Sequence, residues 1–417
     1  MINLKQKIKT IDLRSTINCF IIIYAFFAPI SKAGTVFSGV LLILLWLIQG
    51  DFKSKISMLK TNEFIIVLGL FLLLSLLSVF WSSDSSYYAD YMRKYWHFLI
   101  IPIIYTSLEK KYVKYVFSAF LLGMFISEIV SYGIFFEIWV KEGVSPSDPS
   151  LFMDHTNYSV YLAFTVFILM HRIRFEPAFK WKIVYGLFML FSMSNMLVNG
   201  GRTGQVAFFV TLVVVALLNI QYKIRAVVGS IIVGTVIFIC AYNISPVFHD
   251  RMNYTLHDID VMVNEKDFTN SLSVRISLWF MGTHQFLDNP IIGTGIGDEA
   301  IDLEKYIKKY NFTNYEDFQG KYIDYHNAYV QYAVQLGIGG LVLFILLFVT
   351  LLRLKFQSIV YRNLNITFVC LFALLSMAGL SLHIMASMVL FALFAGVFNT
   401  ISKFEKSNYV EINPLNK

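Results

Sequence analysis

Three residues have side chains suited to holding an anion and taking up a proton beside it: Arg202, Arg275 and His326. Arg202 lies in Asn199-Gly200-Gly201-Arg202-Thr203-Gly204. A planar guanidinium clamps phosphate oxygens in a bidentate fork, and the neighbouring glycines let backbone amides approach a ligand closely. At a membrane edge the same arginine can instead simply snorkel. Arg275 opens an amphipathic stretch, Ser273-Val274-Arg275-Ile276-Ser277-Leu278-Trp279, where it is either a solvated helix-end residue or a second clamp on the same anion. His326 stands in Asp324-Tyr325-His326-Asn327-Ala328-Tyr329, at the start of a long apolar run. A helix N-terminus there binds anions and leaves an imidazole available as a base; the alternative is a capping role. His155, in Met153-Asp154-His155-Thr156-Asn157, faces the same side and either caps a helix or lines the same cavity.

Other candidates carry less. Glu128 is the one acidic residue well inside an apolar run, a functional candidate by default, but one carboxylate is no proton relay. Asp258-Ile259-Asp260 spells an acid-any-acid pattern used for divalent ions, but three residues match by chance too readily to be assigned a metal. Cys19, Cys240 and Cys370 are odd in number and fall in apolar blocks, so no disulfide framework and no metal site is expected.

The elements that must position these residues follow from composition. Of 417 residues 57% are hydrophobic and 15% charged, with a mean hydropathy of +0.63. Soluble proteins carry roughly 25% charged residues, so a soluble fold is excluded. Apolar blocks of bilayer-spanning length lie near 16–31, 33–49, 64–81, 95–108, 115–140, 157–171, 182–199, 204–220, 225–243, 327–352, 363–380 and 383–402. Lys5, Lys7, Lys9 and Arg14 precede the first block without a convincing cleavage site after it, as in an uncleaved anchor. The expected fold is an all-α polytopic membrane protein of about twelve transmembrane helices. Residues 1–242 hold nine of them, 243–326 form one large and mostly helical loop, and 327–417 hold three more and a tail. Within the loop, Leu272 to Leu287 and Asp298 to Tyr310 have helical patterns, separated by the stop Asp288-Asn289-Pro290 and a Gly-rich stretch.

With twelve spans both termini share a face, and 22 of the 34 Lys and Arg residues fall on it. Basic residues collect on the cytoplasmic side, so the termini are expected there and the large loop outside. The net charge of +7 is then a matter of topology, and nucleic-acid binding is not needed.

Taken in order, Gly201-Arg202-Thr203-Gly204, then Arg275 to Trp279 leading to Asp288-Asn289-Pro290-Ile291-Ile292-Gly293-Thr294-Gly295, then His326-Asn327-Ala328-Tyr329 with Leu336-Gly337, resemble the O-antigen ligase and polymerase superfamily of bacterial inner membranes. The clear similarity spans roughly residues 190–345. The resemblance implies a metal- and cofactor-independent glycosyltransferase acting at the periplasmic face on an undecaprenyl-diphosphate-linked glycan. For a ligase the acceptor is lipid A-core. Arg202 and Arg275 would stabilise the departing diphosphate, His326 would take the acceptor proton, and Asn327 and His155 would join the arginines in binding substrate. A single large loop between spans nine and ten is the family's ligase layout. An O-antigen polymerase, a protein O-oligosaccharyltransferase and, from another class, a secondary transporter or flippase remain open alternatives.

Overall fold

Short polar residues at the starts of the apolar blocks fix where the helices begin. Asp12, Ser31, Asn62, Asp84, Asp154 and Asn327 each accept a backbone N–H of the first helical turn at 2.9–3.3 Å, satisfying donors that the helix itself cannot. The computed structural model describes residues 12–264, 268, 270, 272–310 and 324–412. Lys5, Lys7 and Lys9 and segment 311–323 of the long loop lie outside the described residues.

The described α-helices are α1 (Leu13–Phe27), α2 (Lys32–Gln49), α3 (Phe52–Lys60), α4 (Glu63–Leu77), α5 (Ser85–Arg93), α6 (Ile100–Ser107), α7 (Val113–Phe135), α8 (His155–Phe175), α9 (Phe179–Val198), α10 (Arg202–Asn219), α11 (Lys223–Ile244), α12 (Pro246–Asn264), α13 (Ser273–Asp288), α14 (Asp298–Tyr310), α15 (Ala328–Leu352), α16 (Ile359–Leu375) and α17 (Met385–Ile412). Each of the twelve expected spans falls on a helix. Among the described residues eight helices are long and apolar enough to cross a membrane, and α1 and α16 are shorter apolar helices. The remaining two expected spans coincide with α8, which carries Asn157, Ser159, Thr165 and His171 inward, and with a 3-10 turn over Lys94–Leu99 that runs into α6. The fifth span stops at Phe135 rather than near 140, because the chain turns back and the Trp139 ring lies against Gly133.

Burial sorts the helices into layers. In α9 and α11 only 17% of the apolar window is buried, against 89% in α17, so α17 is central and the other two face outward. Phe394 of α17 packs on Phe120, Phe164 and Phe368 with ring centroids 4.7–6.2 Å apart. α8 is buried along almost its whole length, Asn157 to Leu169 without a gap.

The described part of the long loop holds the helices α12, α13 and α14, and α13 ends at Asp288, the first residue of the expected stop Asp288-Asn289-Pro290. It is fastened to the membrane bundle by a break in α15. Gly337 has φ +64° inside that helix, which frees the surrounding backbone groups, and segment 290–295 takes them up. Thr294 and Gly295 N–H donate to the carbonyls of Val334 and Gln335 (2.8 and 3.0 Å), and Ile338 N–H donates to Pro290 O (2.8 Å). The Leu336-Gly337 pair is therefore a docking site for the loop. A second anchor holds Asp298, whose carboxylate accepts the N–H groups of Ser83 and Asp84 at 2.9–3.0 Å.

Candidate active site

The loop-to-helix junction at 324–328 is pinned from four directions. Tyr325 is fully buried in a small core with Leu278, Met281, Leu303, Ile307 and Val334. Asn327 caps α15, its Oδ1 accepting from the N–H of Tyr329 and Val330. Ala328 N–H donates to Ser376 O at 2.7 Å. His326, caught between them, has φ +47°, a left-handed conformation uncommon outside glycine. Its side chain is about half exposed, and Asp324 Oδ1 lies 3.2 Å from its Nδ1 while accepting its backbone N–H at 2.6 Å. The expected alternative, that His326 caps the helix, is overturned: the cap is Asn327. The Asn327 side-chain oxygen is thereby committed to the helix.

Asp324 in turn lies within electrostatic reach of Arg275 and of Lys94. Burial lowers the Arg275 guanidinium from its ordinary value and Asp324 works against that shift. Lys94 Nζ sits 2.8 Å from His383 Nε2, and the His383 ring stacks on Tyr91 with centroids 3.7 Å apart.

Arg202 begins α10 and donates through Nη1 to Thr255 Oγ1 of α12 at 2.6 Å. Arg275, Arg251 and Asp258 all lie within its electrostatic reach. Arg251, also of α12, reaches over Gly200, with Nη2 3.2 Å from where a Cβ would be. The neighbouring glycines serve packing rather than ligand amides. A Cβ at Gly201 would lie 2.3 Å from His155 O, and one at Gly204 2.2 Å from Ser159 Oγ, so the starts of α8 and α10 meet only because both are glycine. Their amides are also used, Gly201 N–H by Asn199 Oδ1 and Gly204 N–H by Ser159 Oγ.

His155 is the first residue of α8, and its cap is Asp154, so the expected capping role falls to the neighbour. His155 Nδ1 lies 3.0 Å from Asp148 Oδ2. Burial alone would raise the Asp148 carboxyl, but hydrogen bonds from His155 and Ser150 outweigh it and hold it below its ordinary value.

The structure thus brings the sequence-derived residues into one chain of neighbours: His155 against Gly201, then Arg202, Arg275 and His326. Asp324, which links the last two, and Arg251, Lys94 and His383 are additions that spacing in the sequence does not single out. Glu128 stands apart, buried between α7 and α9 with Oε1 accepting from Ser192 Oγ at 2.8 Å. Asp258 and Asp260 are two positions apart on α12, one buried and one exposed, and among the described residues no His, Cys, Asp and Glu group is placed to hold a metal ion.

Chemically, such a site can hold an anion and take up a proton beside it. If Nδ1–H points to Asp324, Nε2 is left as the proton acceptor, the arrangement in which a carboxylate orients a basic imidazole.

Residues 187–345 match the family model described as O-antigen ligase. The match contains Arg202, Arg251, Arg275, Asp324, His326 and the Gly337 break, and it supports the resemblance to the O-antigen ligase superfamily stated from the motifs. No curated protein matches the chain.

Proposed function

We propose, from the O-antigen ligase match over residues 187–345 as the premise, that this multi-pass membrane protein is a glycosyltransferase of the ligase type. It would move a glycan from undecaprenyl diphosphate to lipid A-core at the periplasmic face of the bacterial inner membrane. Twelve crossings, cytoplasmic termini and a periplasmic 243–326 loop belong to the same reading, supported by the distribution of basic residues.

The observation that carries the reading is the juxtaposition of a carboxylate-oriented histidine with several cationic side chains at one end of the bundle. In the proposed step the acceptor hydroxyl oxygen attacks the anomeric carbon, and its proton passes to His326 Nε2. The bond from the anomeric carbon to the diphosphate oxygen breaks, and the electron pair leaves on the lipid diphosphate. Arg202, Arg251 and Arg275 stabilise the charge that develops there. Direct displacement inverts the anomeric configuration. Transfer draws on the diphosphate bond already present in the donor, and His155 and Asn327 border the region where substrate would lie.

Deleting the gene and separating cellular glycolipids by gel tests the acceptor. The ligase reading expects lipid A-core without glycan and glycan accumulating on the lipid carrier. A single repeat unit on lipid A-core would instead identify a polymerase, and an unchanged pattern would return the chain to the transporter class.

A further inference from the structure

The 25 residues of α15 run from the arginine-histidine site to the opposite end of the bundle, roughly 37 Å away at 1.5 Å per residue. Three apolar spans end together there: Glu63–Phe80 begins, Ala328–Leu352 stops just before Arg353, and Met385–Lys406 finishes. Between them lies a cavity of about 610 Å³ walled by Arg353, Lys355, Lys403 and Lys406, with Glu63 as its one lining carboxylate.

Among the described residues no acid is paired with these cations, Glu63 of the cavity wall included. Glu405 is turned to the backbone N–H groups of Gln357 and Ser358 (2.5 and 3.2 Å), and Glu109 pairs with Arg14 and Lys111. Among the described residues Arg353, Lys355, Lys403 and Lys406 form no ion pair. Lys403 is held in place, its Nζ donating to Tyr105 O at 2.6 Å and lying 4.8 Å from the centre of that ring. It also lines a smaller cavity of about 260 Å³ whose wall adds Arg14, Lys55 and Lys110 together with Asp51 and Glu109. The wall between the spans is fixed by Asn62 Nδ2 donating to Asn399 Oδ1 at 2.9 Å.

Basic residues at span ends are expected of any cytoplasmic face, but as a solvated collar. Here they line a concavity, and because the Thr61, Thr350 and Ser402 hydroxyls in its wall donate to backbone carbonyls, the basic side chains are its donors for an anion. Where spans end, the nearest abundant anions are lipid phosphates, and basic pockets between spans bind such headgroups.

We propose that this cavity binds the phosphate of an anionic phospholipid headgroup, at the end of the protein opposite the transfer site. The binding is independent of transfer and of the acceptor.

The test uses the purified full chain in neutral detergent, with thermal unfolding and native mass spectrometry as readouts. Phosphatidylglycerol, phosphatidylcholine and inorganic phosphate are added at matched concentrations. Phosphatidylglycerol should raise the unfolding midpoint and remain bound, and phosphatidylcholine should do neither. The triple variant Arg353→Gln, Lys355→Gln, Lys406→Gln, at exposed positions, should need at least tenfold more phosphatidylglycerol for the same shift. Lys355→Gln alone, in a non-helical segment, should show part of that loss should the triple variant fold poorly. An equal, variant-sensitive shift with inorganic phosphate would assign the site to a soluble phosphate and overturn the lipid. A phosphatidylglycerol shift that both variants retain, or that phosphatidylcholine matches, would overturn the site itself.

Discussion

Asp324 holds His326 twice through one carboxylate oxygen, which accepts the histidine's backbone N–H at 2.6 Å and lies 3.2 Å from its Nδ1. The first contact helps fix a left-handed backbone that histidine seldom adopts. The second orients the ring, so one acidic residue sets both where the imidazole sits and which nitrogen faces outward.

Asp324→Asn should therefore lower transfer without removing the base. An amide still meets the backbone N–H, but it stabilises imidazolium less than a carboxylate does. The rate should fall by less than the 10²–10⁴-fold typical of losing a general base, while the unfolding midpoint stays near that of the wild type. A purely structural role for Asp324 would lower the midpoint together with the rate.

Replacing Arg202, Arg251 or Arg275 with lysine keeps the charge but loses the bidentate fork. Each variant should transfer more slowly at normal expression, with the largest losses at Arg202 and Arg275, and Arg251→Lys should mainly raise the donor concentration needed. Near-wild-type transfer by both Arg202→Lys and Arg275→Lys would leave the anion without its proposed clamp.

How far the sequence reveals this arrangement depends on range along the chain. Hydropathy locates the eight helices long and apolar enough to span and the two shorter apolar ones among the described residues, and the amphipathic patterns of α13 and α14 survive to within a residue or two, because burial of one face is a local property. The break at Gly337 is different: Leu336-Gly337-Ile338-Gly339-Gly340 reads equally well as a smooth packing face until Pro290 to Gly295 is seen docked in it. Lys94, Arg251 and His383 reach the site only through tertiary packing. The one signal for two of them is sparseness, since Lys94 and Arg251 belong to the few basic residues on the expected outer face. Gly201 and Gly204 are conspicuous in the sequence for a reason other than the expected one, the close meeting of α8 and α10.

Gly337→Ala tests the docking of the loop. A Cβ there would lie 2.2 Å from Ile291 O, at φ +64°. A left-handed non-glycine backbone alone costs on the order of 1–3 kcal/mol, and the clash adds to it. The unfolding midpoint should drop clearly, and proteolysis within 290–297 should quicken. An unchanged midpoint would mean that the loop is held elsewhere.

Glu299 gives the loop a pH dependence. Its carboxylate is buried, accepting from Gln331 and Gln335 at 3.0 and 2.6 Å and from Gly297 N–H at 2.7 Å. Burial raises its pKa from 4.5 to about 7, with the Gln335 hydrogen bond opposing the rise. The folded form thus binds the proton more tightly than the unfolded one, so this contribution to stability is full below about 4.5 and is lost as pH rises through 7. Across that window the loss is roughly 3 kcal/mol. Thermal unfolding from pH 5 to 8 should show it, and Glu299→Gln should flatten that slope.

The central claim is that His326 removes the acceptor proton, and His326→Asn tests it most directly. Asparagine tolerates a left-handed backbone, and Asn327 keeps the α15 cap, so the variant should unfold at the wild-type temperature. The measurement is transfer by purified wild-type and variant protein from an undecaprenyl-diphosphate glycan to lipid A-core. The account predicts that the variant loses 10²–10⁴-fold of the rate while remaining folded. Transfer at the wild-type rate by well-folded His326→Asn would contradict it.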